Sequence, residues 1–322
     1  MGSFSRDRRQ LSEMNIFTNK PMSTAQLTHL GFDRNAVRAA ISRGHLRRVA
    51  RGVYVKSNIP DNSLTRASAL SLVLPQSSVA VGLSAAWIHQ IAGIELDIDD
   101  VFARPEFAIV GRDTHIERVG IVQHRYQIDH GDLIRIGDLS LTSFDRTAFD
   151  LARIRDAYKA LGYLDMCAGT GRLDVEQVIR IRKESLGFRF VGTVDFVLPL
   201  IDRGSQSMGE SKTRLKIIES GLPVPTTQCP VFIPSTGQTF YLDVGWQRVK
   251  VGVEFDGAAD HSTPDQVAHD EDRRRLIGNT GWKIFVVRGE DLRNGRWLNE
   301  LRLAIQSRLP RSIAPLLFEA RQ

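Results

Sequence analysis

Asp243, Glu254 and Asp256 are the residues of this chain whose types and spacing could do chemistry, set in the runs TFYLD and VKVGVEFDG. Side chains alternate along a strand with a period of two. Val249, Val251, Val253 and Phe255 would therefore share one face, and Lys250, Glu254 and Asp256 the other. In the preceding run Phe240 and Leu242 alternate with Tyr241 and Asp243, which puts Asp243 at a strand end. If the two strands pair as a hairpin-like unit, three carboxylates converge on one spot. Like charges so placed are unfavourable unless a hard cation neutralises them, and oxygen donors of this kind suit Mg²⁺ or Mn²⁺. The chemistry would be metal-assisted phosphodiester hydrolysis, in which a bound cation acidifies water and polarises the phosphate. Glu254 or Asp256 would accept the proton. The competing reading is that acids at strand ends are usually solvated, and a D…ExD spacing arises often by chance, so the flanking sequence has to decide.

The elements that must position these acids are legible on both sides. Ser207 has the type of a helix N-cap with Glu210 three residues on, a capping-box pattern that gives Glu210 a purely structural role as its alternative. Leu215, Ile218 and Leu222 follow at helical spacing, and Gly221 marks the stop. Downstream, the charge-rich run from Asp270 to Ile277 predicts a helix, and Gly281 to Arg288 predicts a strand.

With these pieces in order, residues 205–293 resemble the small endonuclease-like domain related to very-short-patch repair endonucleases, within the PD-(D/E)XK superfamily. The resemblance is carried by S-x-x-E at Ser207 to Glu210, G-L-P-x-P at Gly221 to Pro225, Leu242-Asp243 and V-E-F-D-G at Val253 to Gly257. His261 and D-x-x-R-x-x-x-I-x-x-x-G-W from Asp270 to Trp282 complete it. It implies a restriction-endonuclease-like α/β core over residues 205–308, with Glu210 on the first core helix. It further implies that Asp243 and Glu254 bind the catalytic cation and that His261 is an auxiliary histidine. One departure stands out: the lysine usual two residues after the glutamate is Asp256 here. That lysine orients the attacking water or stabilises developing charge. Asp256 could serve as an extra ligand or general base, with Lys212 or Lys250 supplying positive charge.

The other end of the chain is basic. Residues 1–56 hold eleven Lys and Arg against Asp7, Glu13 and Asp33, a local charge of +8 in a chain of +6. Such a concentration is the footprint expected of phosphate binding, although a solvated basic face looks the same by charge alone. Met22 to Gly31 predicts a capped helix ending in glycine. Asp33 to Gly44 predicts a second, with Asp33 as N-cap and Gly44 just past its end. Val37, Ala40 and Ile41 would be buried, leaving Arg34, Asn35, Arg38 and Ser42 outward. Leu46 to Val55 then predicts a hairpin around Ala50-Arg51-Gly52. Helix, turn, helix and basic hairpin make a winged helix-turn-helix over residues 15–58, whose second helix enters the major groove of duplex DNA. Arg34, Asn35 and Arg38 would face bases, and Arg47, Arg48 and Arg51 would hold phosphates. The run Arg43-Gly44-His45-Leu46-Arg47-Arg48-Val49-Ala50-Arg51-Gly52-Val53-Tyr54 resembles the N-terminal domain of AbiEi-type antitoxins.

Residues 64–200 form a mixed α/β connecting segment. Thr65 to Leu74 and Val81 to Ile91 predict buried helices, the second carrying an S-A-A-x-x-H element that also resembles AbiEi-like proteins. His89, on an apolar helix, is read as a packed core residue. Strands are predicted at Val101 to Arg104, Val119 to Tyr126 and Leu139 to Thr142, and a helix begins at Asp145. Asp145 and Asp150 are read as structural acids paired with Arg146 and Arg153. Helices are predicted around 156–168, 174–184 and 193–201. The fold class is thus α/β in the broad, α+β sense. Cys167 and Cys229 alone argue against a disulfide framework and for a reducing, cytoplasmic setting. No run approaches the roughly 20 apolar residues that a membrane helix needs, and no secretory leader is expected. The expected function is a metal-dependent DNA endonuclease delivered by its winged helix, acting on double-stranded DNA. The alternative is an AbiEi-type antitoxin and transcriptional repressor, with an inactive nuclease-like domain and a nucleotidyltransferase toxin encoded nearby. The sequence leaves the oligomeric state open.

Overall fold

The computed structural model describes residues 19–96, 104–109, 120–125, 127–257 and 264–309, excepting the side chains of 264–270. Contacts divide the chain into two compact units, one formed by Met1–Leu151 with Asp174–Ile181 and the other by Ala152–Leu173 with Arg182–Gln322. Both mix helices with sheets, an α/β class as expected.

In the first unit, the short strand β1 (Met22–Ser23) leads into α1 (Thr24–His29) and α2 (Arg34–Ser42). The hairpin strands β2 (Leu46–Ala50) and β3 (Val53–Lys56) follow, and β1 pairs antiparallel with β3. The predicted order of helix, turn, helix and hairpin is present. Ser23 caps α1 through a complete capping box with Gln26, and Asp33 Oδ1 accepts from the Ala36 N–H at 2.7 Å to start α2. Gly44 ends α2 with φ of 72°, a left-handed conformation that suits glycine. Met22, Leu27, Val37, Ala40 and Leu46 form the small core beneath.

The rest of this unit is a five-stranded sheet of order β6-β5-β4-β8-β7 with its helices. Its elements are α3 (Ser63–Ser71), β4 (Val79–Ala80), α4 (Gly82–Ile88), β5 (Glu106–Ala108), β6 (Val122–His124), β7 (Leu133–Ile136), β8 (Leu139–Thr142) and α5 (Phe144–Ala152). Of the strand predicted at 101–104, Arg104 is not in a strand and residues 101–103 lie outside the described residues, as do 119 and 126 of the next predicted strand; β5 begins at Glu106. His89 is buried, its Nε2 2.9 Å from the Thr142 carbonyl oxygen, as a packed core residue should be. Arg146 is buried between Asp132 at 3.0 Å and Asp150 at 3.2 Å. Asp145 accepts from the Asp174 N–H instead, and Arg153 lies over the Phe188 ring.

The second unit begins with α6 (Ala157–Gly169), continues after α7 (Val175–Glu184) with α8 (Val191–Val197), and reaches α9 (Met208–Glu219). Then come β9 (Thr226–Ile233), β10 (Gln238–Trp246), β11 (Val251–Asp256), α10 (Pro264–Asn279), β12 (Lys283–Arg288), α11 (Gly289–Asn294) and α12 (Trp297–Arg308). The sheet order is β12-β11-β10-β9, antiparallel from β9 to β11 and parallel between β11 and β12. A parallel neighbour needs a crossover, and α10 supplies it. One core layer joins Val244, Val251, Val253 and Val287 to Ile217 of α9 and to Trp297 and Leu301 of α12. The other joins Cys229, Val231, Ile233 and Leu242 to Ile277 of α10.

The single connecting segment expected over 64–200 is divided: its later helix α6 lies in the same unit as the C-terminal sheet. Two contacts account for this. Asp165 of α6 and Arg214 of α9 form a fully buried ion pair at 2.8 Å, and Gly162 leaves room where Met208 packs against α6. Among the described residues, no helix is long and apolar enough to cross a membrane.

Candidate functional site

The antiparallel ladder sets Val244 opposite Val253 and Gly245 opposite Gly252; Asp243 and Glu254 are the next residues past its last rung, and the charge of Glu254 acts on Asp243. Asp243 also sits where the β9–β10 ladder skips a rung. Leu242 pairs with Cys229 and Val244 with Thr227, while Gln228 between them has a left-handed φ of 44°. As a result Leu242 and Val244, two residues apart, join different core clusters, so the simple alternation read from sequence breaks at Asp243. Asp243 Oδ2 accepts from the Phe255 N–H at 2.7 Å. Burial pushes its carboxyl up to about 6, with Glu210 and Glu254 adding to the rise, while the Phe255 N–H and Arg273 oppose it.

Glu210 stands in the first turn of α9. Its N–H donates to the Ser207 Oγ at 3.1 Å, the expected cap. Its Oε2 reaches back past Ser207 to accept from the Gln206 N–H at 2.8 Å. Glu210 is thus both a capping residue and a neighbour of Asp243. The helix comes this close because Gly209 lies against the Phe255 ring, where a Cβ would meet ring carbon at 2.0 Å.

Glu254 is buried, and two guanidiniums of α10 take its carboxylate. Arg273 Nη1 lies 2.6 Å from Oε1, and Arg274 Nε donates to Oε2 at 3.1 Å. The contact to Oε1 is an ion pair without hydrogen-bond alignment. Asp256 stands opposite Arg288 in the parallel register, with 3.4 Å between Oδ2 and Nε.

Three expectations about this region need correction. Asp243 lies within β10, which runs on to Trp246, and not at a strand end. Val249 ends a 3₁₀ turn and Lys250 is left-handed, with φ of 50°, so the strand starts at Val251 and Lys250 does not share a strand face with Glu254. The Lys250 Nζ donates to the Thr280 carbonyl at 2.9 Å, away from the acids. The expected convergence is also only partial: among the described residues, no three His, Cys, Asp or Glu side chains stand close enough together to hold a metal ion. His261 lies outside the described residues. Oxygen donors on Asp243 and Glu254 suit a hard cation in type, but Glu254 is engaged by arginine.

Sequence reasoning missed these arginines as site residues. Arg273 was in view as part of a spacing pattern, without a role. The available signal was electrostatic: a buried glutamate needs partners, and the Arg273-Arg274-Arg275 run lies on the crossover helix that must pass the strand.

In the first unit, Arg34, Asn35 and Arg38 are exposed on α2, opposite buried Val37 and Ala40. Ile41, expected inside, is 37% exposed, because α2 buries a narrower stripe. Arg48 and Arg51 are exposed at the hairpin. Arg47 differs from its expected phosphate role. It is half-buried, and its Nη2 donates to the Ile59 carbonyl at 2.9 Å, so it braces the hairpin.

No family model matches the chain. It is 27% identical over 265 residues to an uncharacterized protein of Mycobacterium tuberculosis strain CDC 1551 / Oshkosh, covering 81% of this chain and 92% of that protein. The same figures hold for an uncharacterized protein of Mycobacterium tuberculosis strain H37Rv.

Proposed function

We propose that this protein is a metal-dependent DNA endonuclease, with α2 and the hairpin holding duplex DNA and the acids of the β10–β11 pair hydrolysing a phosphodiester. The observation that carries the reading is that Asp243 and Glu254 follow the last paired rung of β10 and β11, with Glu254 and Glu210 both near enough to raise the Asp243 carboxyl. Asp243 and Glu254 would hold Mg²⁺ or Mn²⁺, with Glu254 exchanging an arginine for the ion. When bound, the cation acidifies a water and polarises the phosphate. Asp256, held by Arg288, accepts the proton, and Glu210 fixes the start of α9 against the site. Arg34, Asn35 and Arg38 read the major groove while Arg48 and Arg51 grip phosphates. Two buried free cysteines accord with a reducing, cytoplasmic setting.

The test is nicking of supercoiled plasmid with Mg²⁺ or Mn²⁺. Asp243→Asn and Glu254→Ala should each abolish nicking while leaving duplex affinity nearly intact, and unchanged nicking in both would remove the assignment.

A second reading, an AbiEi-type antitoxin and repressor, is favoured by one observation: both carboxylate oxygens of Glu254 already face guanidiniums. On this reading the C-terminal unit does not cut, and the partners are operator DNA and a toxin encoded nearby. Tight duplex binding without nicking under any metal would support it.

A further inference from the structure

The acidic cluster poses a physical difficulty for the proposed substrate. A phosphodiester is an anion, and Glu210, Asp243, Glu254 and Asp256 together would repel it. Arg273 stands at that cluster and touches both β10 and β11. Its Nη1 lies 2.6 Å from Glu254 of β11, and its Nη2 donates to the Tyr241 carbonyl of β10 at 2.6 Å. The guanidinium also lies 5.8 Å from the Phe240 ring centroid, and its charge acts on Asp243. The Arg273 side chain is 23% exposed against 7% for Glu254, so the arginine is held in place yet reachable from solvent. The buried Oε1 beside it has no aligned hydrogen bond, so Arg273 meets that oxygen as an ion pair through charge and proximity alone. A guanidinium is a planar fork of five donors whose shape matches phosphate, and it stays charged at any working pH.

We infer that Arg273 receives a DNA phosphate at the acids of the β10–β11 pair and acts as a catalytic residue by holding the scissile group beside Asp243 and Glu254. Without DNA it neutralises Glu254; with DNA it turns donors to the phosphate while Arg274 keeps its bond to the other Glu254 oxygen. The catalytic part rests on the nuclease reading, whereas the phosphate contact can be measured without it.

The experiment uses the full chain in two assays. Duplex binding is followed by fluorescence anisotropy without metal across a range of NaCl concentrations. Arg273→Gln should lower the log–log salt slope by about 0.9, the value for one phosphate contact on duplex DNA. Arg274→Gln should leave the slope unchanged. Removing Arg273 exposes a buried carboxylate to misfolding, so the pair Arg273→Gln with Glu254→Gln is measured beside it. A slope equal to wild type in both variants overturns the inference. In the nicking assay, Arg273→Gln should lose about 10²- to 10³-fold in rate, as removal of a charge-stabilising donor does. Arg273→Lys should keep the slope but recover only part of the rate, since it lacks the fork. An unchanged nicking rate in Arg273→Gln overturns the catalytic role. A reduced slope with no nicking even by wild type would remove the nuclease reading and the catalytic role, leaving the phosphate contact standing.

Discussion

Asp243 should carry a stability cost that grows with pH. Its carboxyl is raised from 3.8 to about 6, so the folded state holds a proton that the unfolded chain releases earlier. Stability therefore falls as pH climbs between those values and stays reduced above them. Asp243→Asn removes the ionisation, and should be more stable than wild type at pH 7 by up to about 3 kcal/mol, with the difference fading towards pH 4. Urea unfolding of both proteins at several pH values checks this, and a difference that does not change with pH would contradict it. The candidacy of Asp243 was legible because its type and its alternation with Phe240 and Leu242 are local facts, whereas its place inside β10, which runs on to Trp246, was not. The bulge-like break beside Gln228 was not, because it depends on how β9 meets β10.

At the scale of elements, α9 approaches β11 closely enough to bring Glu210 near Asp243 only because position 209 has no side chain. Gly209→Ala gains helix propensity but drives a methyl group into the Phe255 ring. The clash should win, lowering stability by about 1–3 kcal/mol, typical of overpacking, and thermal unfolding would show it. A more stable variant would mean that the helix stands further off. On α2, Arg38→Ala should weaken or relax duplex binding by roughly 1–3 kcal/mol if the arginine contacts a base. A gel-shift affinity equal to wild type would count against α2 as the recognition element. Both helices were readable beforehand from caps at Asp33 and Ser207 and from apolar spacing. Strand β7 was passed over: its exposed Ile134 and Arg135 give it little apolar alternation, and pairing with β8 defines it.

For the whole molecule, the position of α6 is the clearest departure from a division by sequence. The buried Asp165–Arg214 pair ties residues far apart in the chain. Removing one partner strands the other charge in the interior, so Asp165→Leu alone should cost about 3–5 kcal/mol. Asp165→Leu with Arg214→Met should recover most of that loss, measured by denaturant unfolding. A single variant as stable as wild type would show the pair to be dispensable. Charge is also uneven: residues 1–56 carry +8 of a net +6. Counterion release then predicts that duplex binding weakens steeply with salt.

The sequence by itself determined the α/β class, the helix–turn–helix–hairpin order, the capped start of α9 and the acids that could do chemistry. These rest on caps, turns and periodicities that act over a few residues. Tertiary structure alone decided that Arg273 and Arg274 close on Glu254, that Arg47 turns inward, that Lys250 leaves the acidic face and that α6 belongs with the C-terminal sheet. Each of these is a pairing of groups separated along the chain, and a buried charge takes whichever partner the packing brings within reach.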